Sequence, residues 1–239
     1  LSELKNDNSQ RYYLQRAILL PLICCFLIYL EPDYGTTLTI LGIFFIQIVF
    51  SDIKFRYPAF ILSISIFPLY LFATASDYRR ERIETFLTGK CQDGVDLLGD
   101  CFQLNQSWIA ISSGGLTGLG PGTSRARWGM LPNAYTDFIV SITGEEYGFI
   151  GILILTIIFL ILIVSFYGMA LTTNDNFKKL LLAGIATWVG IQTILNLGGA
   201  VGLLPITGIV LPFISYGGTA MVSIFIGLSL AHNENLDNE

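Results

Sequence analysis

Leu131-Pro132-Asn133-Ala134-Tyr135-Thr136-Asp137-Phe138-Ile139-Val140, followed by Thr143-Gly144-Glu145-Glu146-Tyr147-Gly148, leads into a long apolar run from Phe149 to Ala170. The run is long enough to cross a bilayer, which takes about 20 apolar residues. Carboxylates therefore stand at its mouth. A carboxylate at a membrane boundary costs free energy unless water, a partner or a substrate stabilises it. Polar chemistry beside lipid on one membrane face points to a substrate that lives there.

Composition agrees. The chain is 53% hydrophobic and 13% charged, with a mean hydropathy of +0.64, whereas soluble domains carry about 25% charged residues. No basic stripe suggests nucleic acid, and the net charge of −5 is spread over loops and tails. Leu1 to Gln10 holds neither an initiator Met nor a signal-peptide pattern, so the reading expects a fragment or a processed chain.

Six apolar segments, roughly 17–30, 36–51, 57–76, 147–171, 180–200 and 208–231, read as membrane helices. The alternation of a β-barrel strand is absent. The expectation is an all-α, polytopic membrane helix bundle. It forms a single membrane domain over 1–239 with a large extracytoplasmic loop at 77–136. Lys5, Arg11, Arg16, Lys54, Arg56, Lys178 and Lys179 flank the spans on one side, while the short loops 31–36 and 201–207 carry no Lys or Arg. The basic side faces the cytoplasm. Both termini are then cytoplasmic and 77–136 lies outside.

Cys24 and Cys25 fall within the first span and read as small apolar fillers. Cys91 and Cys101 fall in the outer loop, where the compartment permits a disulfide; two free thiols are the other reading. No Cys or His pair completes a zinc set, and no metal ligands are assigned.

Asp77 to Glu84 is a mixed-charge stretch at the start of the outer loop. It reads as a solvated helical turn or, through Arg79 and Arg82, as a phosphate clamp. Gln103, Gln106 and Ser107 precede Trp108-Ile109-Ala110-Ile111, an amphipathic pattern with Trp108 as an interfacial anchor. Ser113 to Ser124 is rich in glycine but lacks the Gly-Lys-Ser/Thr of a nucleotide loop. It is either a flexible loop or a set of backbone amides open to an anionic headgroup, and Arg125 and Arg127 follow at once. Further on, Asn196 to Gly208 and Leu211 to Thr219 place prolines and paired glycines inside apolar sequence. That implies broken helices, which the membrane interior tolerates only when buried in protein or lining a wet cavity. Gln192 and Asn196 share a helix face, a pattern for interhelical hydrogen bonds or substrate contact.

Glu31-Pro32-Asp33-Tyr34-Gly35-Thr36, Tyr78 to Phe86, Gln103 to Gly120, Leu131 to Gly151 and Leu204 to Gly218 together resemble the SEDS family (shape, elongation, division and sporulation), which includes FtsW, RodA and SpoVE. The Gly-x-Gly-x-Gly-x-Ser pattern at Gly118 to Ser124 is more similar to FtsW than to RodA. Relatives often carry Gln at the position of Glu31, His at Tyr135 and Phe at Val140; Asp137, the essential acidic position of this motif, is intact.

The resemblance implies a ten-helix membrane fold, of which this chain holds the last six helices. It implies a peptidoglycan glycosyltransferase that polymerises lipid II beside a class B penicillin-binding protein transpeptidase and other divisome proteins, in the bacterial inner membrane at the division septum. The GlcNAc 4-hydroxyl attacks MurNAc C1 with inversion, and undecaprenyl pyrophosphate leaves. Asp137 is then the catalytic base. Arg79, Arg82, Arg125 and Arg127, with Gln103, Glu145 and Ser215, are candidates for substrate binding, and a divalent cation such as Mg²⁺ can share the phosphate charge. The residues alone also allow Asp137 to be a helix N-cap, and Glu145 and Glu146 to be helix-start charges or a second catalytic carboxylate. A lipid II flippase and a non-catalytic division scaffold are the alternative functions.

Overall fold

The computed structural model describes residues 19–21, 23–28, 33–51, 84, 86, 88–91 and 101–233. The third expected span, 57–76, and Arg79 and Arg82 lie outside them. Every regular element among the described residues is helical: α1 (Tyr34–Phe50), α2 (Phe102–Gly114), a 3-10 turn (Ala126–Trp128), α3 (Ile139–Thr172), α4 (Asn176–Val201) and α5 (Gly218–Asn233), with helical residues 19–21 and 23–28 before α1. The helices α3 and α4 are long and apolar enough to cross a membrane. The shorter apolar helices are Leu19–Ile28, Gly35–Phe50 and Gly218–Ala231.

Chain contacts divide the protein into two compact units: 1–72 with 161–191 and 222–239, and 73–160 with 192–221. In the first, Asp33 starts α1 by accepting the Thr36 amide at 3.0 Å and the Thr36 hydroxyl at 2.6 Å. This is the usual way a short carboxylate satisfies an orphan helix donor. Small residues let the helices approach: Gly42 faces Thr187 and Ile191, and Gly184 faces Ile43 and Gln47. The Tyr167 hydroxyl lies 2.9 Å from that of Thr187, and its ring stacks on Phe50 at 5.9 Å.

The second unit holds the polar chemistry, and its helices depart from the expected bounds. α3 begins at Ile139, eight residues before the expected start at 147. Its first two turns carry Glu145 and Glu146 as buried side chains, which a reading by apolarity alone ends at. The helix is then interrupted at Gly148, where φ is 68° and ψ −166°. The last expected span, 208–231, is helical only from Gly218. Residues 205–217 run as irregular chain and turns, as the prolines and glycines imply.

The glycine-rich segment explains the interruption at Gly148. An unbroken helix would pair the Phe149 amide with the Glu145 carbonyl and the Ile150 amide with the Glu146 carbonyl. Here Leu119 and Gly120 donate to the carbonyls of Glu145 and Glu146 at 2.9 and 3.0 Å, and Phe149 and Ile150 donate to those of Gly115 and Leu116 at 2.9 and 3.1 Å. The four backbone groups opened by the interruption are thus all satisfied. The approach needs glycine. A Cβ on Gly118 (φ 81°) would sit 2.1 Å from the Glu146 oxygen, and one on Gly148 would sit 2.4 Å from the Gly118 nitrogen. The amides at 118–120 are consumed in this clamp and in the Gly118-to-Gly114 bond of 2.8 Å. These three amides are therefore not open to an anionic headgroup.

Candidate functional site

Asp137 lies on the turn 132–138 that precedes α3. The Phe138 carbonyl accepts the Ser141 amide at 2.9 Å, so Phe138 holds the capping position and Asp137 the one before it. The turn is organised around the Asn133 carbonyl, which accepts the amides of Thr136 and Asp137 at 3.1 and 3.0 Å. Asn133 adopts φ 55°, a left-handed conformation that Asn tolerates better than most residues.

Two distant segments pin this turn. Asn196 of α4, itself buried, donates through Nδ2 to the Asp137 carbonyl at 2.9 Å and to the Ile209 carbonyl at 2.6 Å. Ser215, also buried, donates to the Thr136 carbonyl at 2.6 Å and accepts the Leu211 amide at 2.8 Å. The Tyr216 amide adds a 3.0 Å bond to the Tyr135 carbonyl. The irregular chain 202–217 and the turn 132–138 are therefore one hydrogen-bonded body. Asp137 is half-buried, and its Oδ2 would lie 3.8 Å from a Cβ on Gly208. With Asn196, Thr207 and Gly208 it borders a narrow crevice. The geometry presents one carboxylate on a backbone fixed at both flanks, as a general base requires.

α2 supports the same body. The Ser107 hydroxyl donates to the Ala200 carbonyl at 2.6 Å and lies 2.7 Å from that of Ser141. A hydroxyl has one proton, so Ser141 is the donor of that second bond. The Trp108 indole donates to the Val201 carbonyl at 3.0 Å. Trp108 is thus committed to the end of α4, a role its sequence pattern did not signal. The Cys91–Cys101 disulfide, with Cα atoms 5.2 Å apart, anchors the start of α2, where Cys101 holds the N-cap.

The remaining candidates gather elsewhere in this unit. Glu145 is only 2% exposed, and its Oε2 accepts the Ser124 hydroxyl at 2.6 Å and the Ala126 amide at 3.1 Å. Arg127 lies 4.0 Å from Glu146 and its guanidinium 5.7 Å from the Trp128 ring centre. Arg125 is exposed, and with Gln106, Ser113 and Glu145 it lines a cavity of about 300 Å³. Gln103 stands half-exposed on α2 about one turn before this wall. Arg79 and Arg82 lie outside the described residues, so the suggested clamp at those positions has no geometry. Among the described residues, no three His, Cys, Asp or Glu side chains are grouped to hold a metal ion.

Regular elements that are all helical among the described residues, two of them long and apolar enough to cross a membrane, with a clamped helix break and a polar body around one carboxylate, define a polytopic membrane protein. The family model described as cell cycle protein, covering FtsW, RodA and SpoVE, matches residues 2–236, and the chain belongs to that family. It is 36% identical over 203 residues to a probable peptidoglycan glycosyltransferase FtsW of Geobacter metallireducens, covering 85% of this chain and 53% of the relative. It is 33% identical to the stage V sporulation protein E of Bacillus subtilis, with 85% and 54% covered. A chain from a peptidoglycan synthase complex that coordinates polymerization and crosslinking matches at TM-score 0.68 and 27% identity, over 90% of this chain and 59% of that one. The rod shape determining protein RodA of Thermus thermophilus matches at TM-score 0.58 and 26% identity, with 91% and 54% covered. The chain spans about half the length of the curated relatives it matches.

Proposed function

We propose that the protein containing this chain is a peptidoglycan glycosyltransferase that polymerises lipid II at the outer leaflet of the bacterial inner membrane. The observation that carries this reading is the fixing of Asp137. Two separate segments, through Asn196 and Ser215, hold the carbonyls of Asp137 and of the residue before it while its carboxylate stands at a crevice. A merely capping Asp needs no such frame.

In the proposed reaction Asp137 takes the proton of the GlcNAc 4-hydroxyl as that oxygen bonds to MurNAc C1. The bond from C1 to the pyrophosphate oxygen breaks, and undecaprenyl pyrophosphate leaves as the anion with inversion at C1. Outer-loop arginines, Arg79 and Arg82 among them, stabilise the departing charge. No step is assigned to Mg²⁺, because the donor set among the described residues forms no cage for it. The FtsW-named relatives and the Gly118 to Ser124 pattern support a division role at the septum. The matching chain from a peptidoglycan synthase complex supports a class B penicillin-binding protein as partner.

The test is polymerisation of lipid II by the full-length protein with its partner. Asp137→Asn keeps size and removes charge; turnover is expected to fall on the order of 10²–10⁴-fold while the protein still inserts and binds its partner. A wild-type rate for Asp137→Asn ends the base assignment. Translocation of lipid II without product strands from the wild type favours the flippase, and neither activity favours the scaffold.

A further inference from the structure

Glu145 is a buried carboxylate that the proposed reaction does not use. Glu145 accepts hydrogen bonds from the turn that carries Arg125 and Arg127, from the hydroxyl of Ser124, which is itself 0% exposed, and from the Ala126 amide. The Arg125 backbone and Ser113 of α2 hydrogen-bond to it as well. The Ser124 oxygen in turn accepts the Arg127 amide at 3.3 Å. An ionised carboxylate is costly to bury unless its partners are well placed. Burying one here makes sense if the position of that turn matters. The turn forms one wall of the 300 Å³ cavity, whose other walls come from α2 and include Gln106 and Ser113. The volume is at the lower end for a ligand site, about 300–1,000 Å³.

We propose that this cavity is an anion subsite for a phosphate-bearing isoprenoid headgroup, with Arg125 as its cation and Glu145 as a positioning residue that fixes the Arg125 turn against α3. Arg125 is exposed at the wall, and an Arg fork suits phosphate oxygens. Ile109, Leu119 and Met130 also line the cavity and offer apolar surface to the first isoprene units. Glu145 also lines the cavity, and its carboxylate is committed to the Ser124 hydroxyl and the Ala126 amide. The inference rests on the glycosyltransferase reading for its substrate, and its test separates the two.

The experiment uses full-length protein in detergent with two probes, inorganic pyrophosphate and farnesyl pyrophosphate, followed by calorimetric titration. Lipid II polymerisation is measured alongside. Arg125→Gln, an exposed change, is expected to weaken farnesyl pyrophosphate binding about tenfold and to raise KM more than it lowers kcat. Glu145→Ala is expected to do the same by releasing the turn. Glu145→Gln keeps an acceptor oxygen for Ser124 and Ala126 and is expected to recover most of that loss. Equal binding of both probes places a free-phosphate site here in place of a lipid-headgroup site and overturns the isoprenoid part. Unchanged farnesyl pyrophosphate binding in Arg125→Gln overturns the subsite. A kcat loss in Glu145→Gln as deep as in Glu145→Ala, with probe binding intact, makes Glu145 a participant in the chemistry and overturns the positioning role. If the wild type binds the probe through Arg125 yet makes no polymer, the glycosyltransferase reading fails and the subsite stands.

Discussion

The helix run is broken in two places, at Gly148 and over 202–217, and the two breaks are mended by different chemistry. At Gly148 the mending is peptide to peptide. The segment 115–120 supplies two amides and two carbonyls to the four groups the interruption opens. Over 202–217 side chains carry much of the load. α4 closes with a Schellman pattern, in which the amides of Gly202 and Leu203 return to the carbonyls of Gly199 and Gly198 at 3.2 and 2.8 Å. Beyond that cap, Asn196 and Ser215 reach across to the Asp137 turn. A peptide clamp tolerates no Cβ in its path but is indifferent to side-chain chemistry. A side-chain tie tolerates bulk nearby but depends on one amide or hydroxyl. The first break suits a rigid scaffold, and the second suits the fine placement of a functional group.

The comparison is broken most directly at Gly118. Gly118→Ala adds a methyl 2.1 Å from a backbone oxygen at positive φ, and neither neighbour is a side chain that can move aside. The expected cost is about 3–5 kcal/mol, seen as loss of the monodisperse peak in size-exclusion chromatography. A stable, active Gly118→Ala protein would mean the clamp is not needed.

Next in size is the Cys91–Cys101 bridge, which fixes the start of the helix that serves both breaks. The α2 residues Ser107 and Trp108 hold the end of α4, and the segment just after α2 forms the clamp. Closing so short a loop is worth about 3 kcal/mol on the chain-entropy model. A Cys91→Ser, Cys101→Ser double variant is expected to lower the unfolding temperature in oxidising buffer and to lose the sensitivity to reductant that the wild type shows. Asn196→Ala comes third. It strips the donor from two carbonyls at once, a loss of about 2–3 kcal/mol. Because one of those carbonyls belongs to Asp137, polymerisation is expected to fall further than the stability loss explains. Turnover measured well below the unfolding temperature checks this.

The two breaks also differ in how much the sequence discloses. Prolines 205 and 212 and the glycine pairs at 198–199 and 217–218 are visible interruptions of an apolar run, so the second break was legible as a break. Its ties were not, since the Asn196 to Asp137 bond joins residues 59 apart. The first break was hidden. Glu145 and Glu146 look like the edge of a membrane span, and only the structure reveals that they lie inside a helix whose opened backbone is met by a glycine segment. The Gly-x-Gly-x-Gly-x-Ser pattern was visible, but glycine allows both flexibility and close approach, and local sequence does not choose between them. Asp137 was legible through its place between a polar loop and an apolar run; its frame of Asn196, Ser215 and Asn133 required the fold.

The smallest test separates the donor of Trp108 from its bulk. The indole N–H bonds the Val201 carbonyl at 3.0 Å, and the ring covers Gly202 so closely that a Cβ there would lie 2.6 Å from it. Trp108→Phe removes the donor and keeps most of the ring. The Val201 carbonyl belongs to a residue exposed at the end of α4, where water can replace the lost partner. The expected cost is therefore only about 1 kcal/mol, a fall of roughly 2–4 °C in Tm, with polymerisation unchanged within error at 25 °C. Trp108→Ala, which also empties the space over Gly202, is expected to cost more. Side-chain ties of the second break would then be graded by burial, with Asn196 above Trp108. If Trp108→Phe costs as much as Asn196→Ala, burial does not set the order, and the indole bond is a main fastening of α2 to α4.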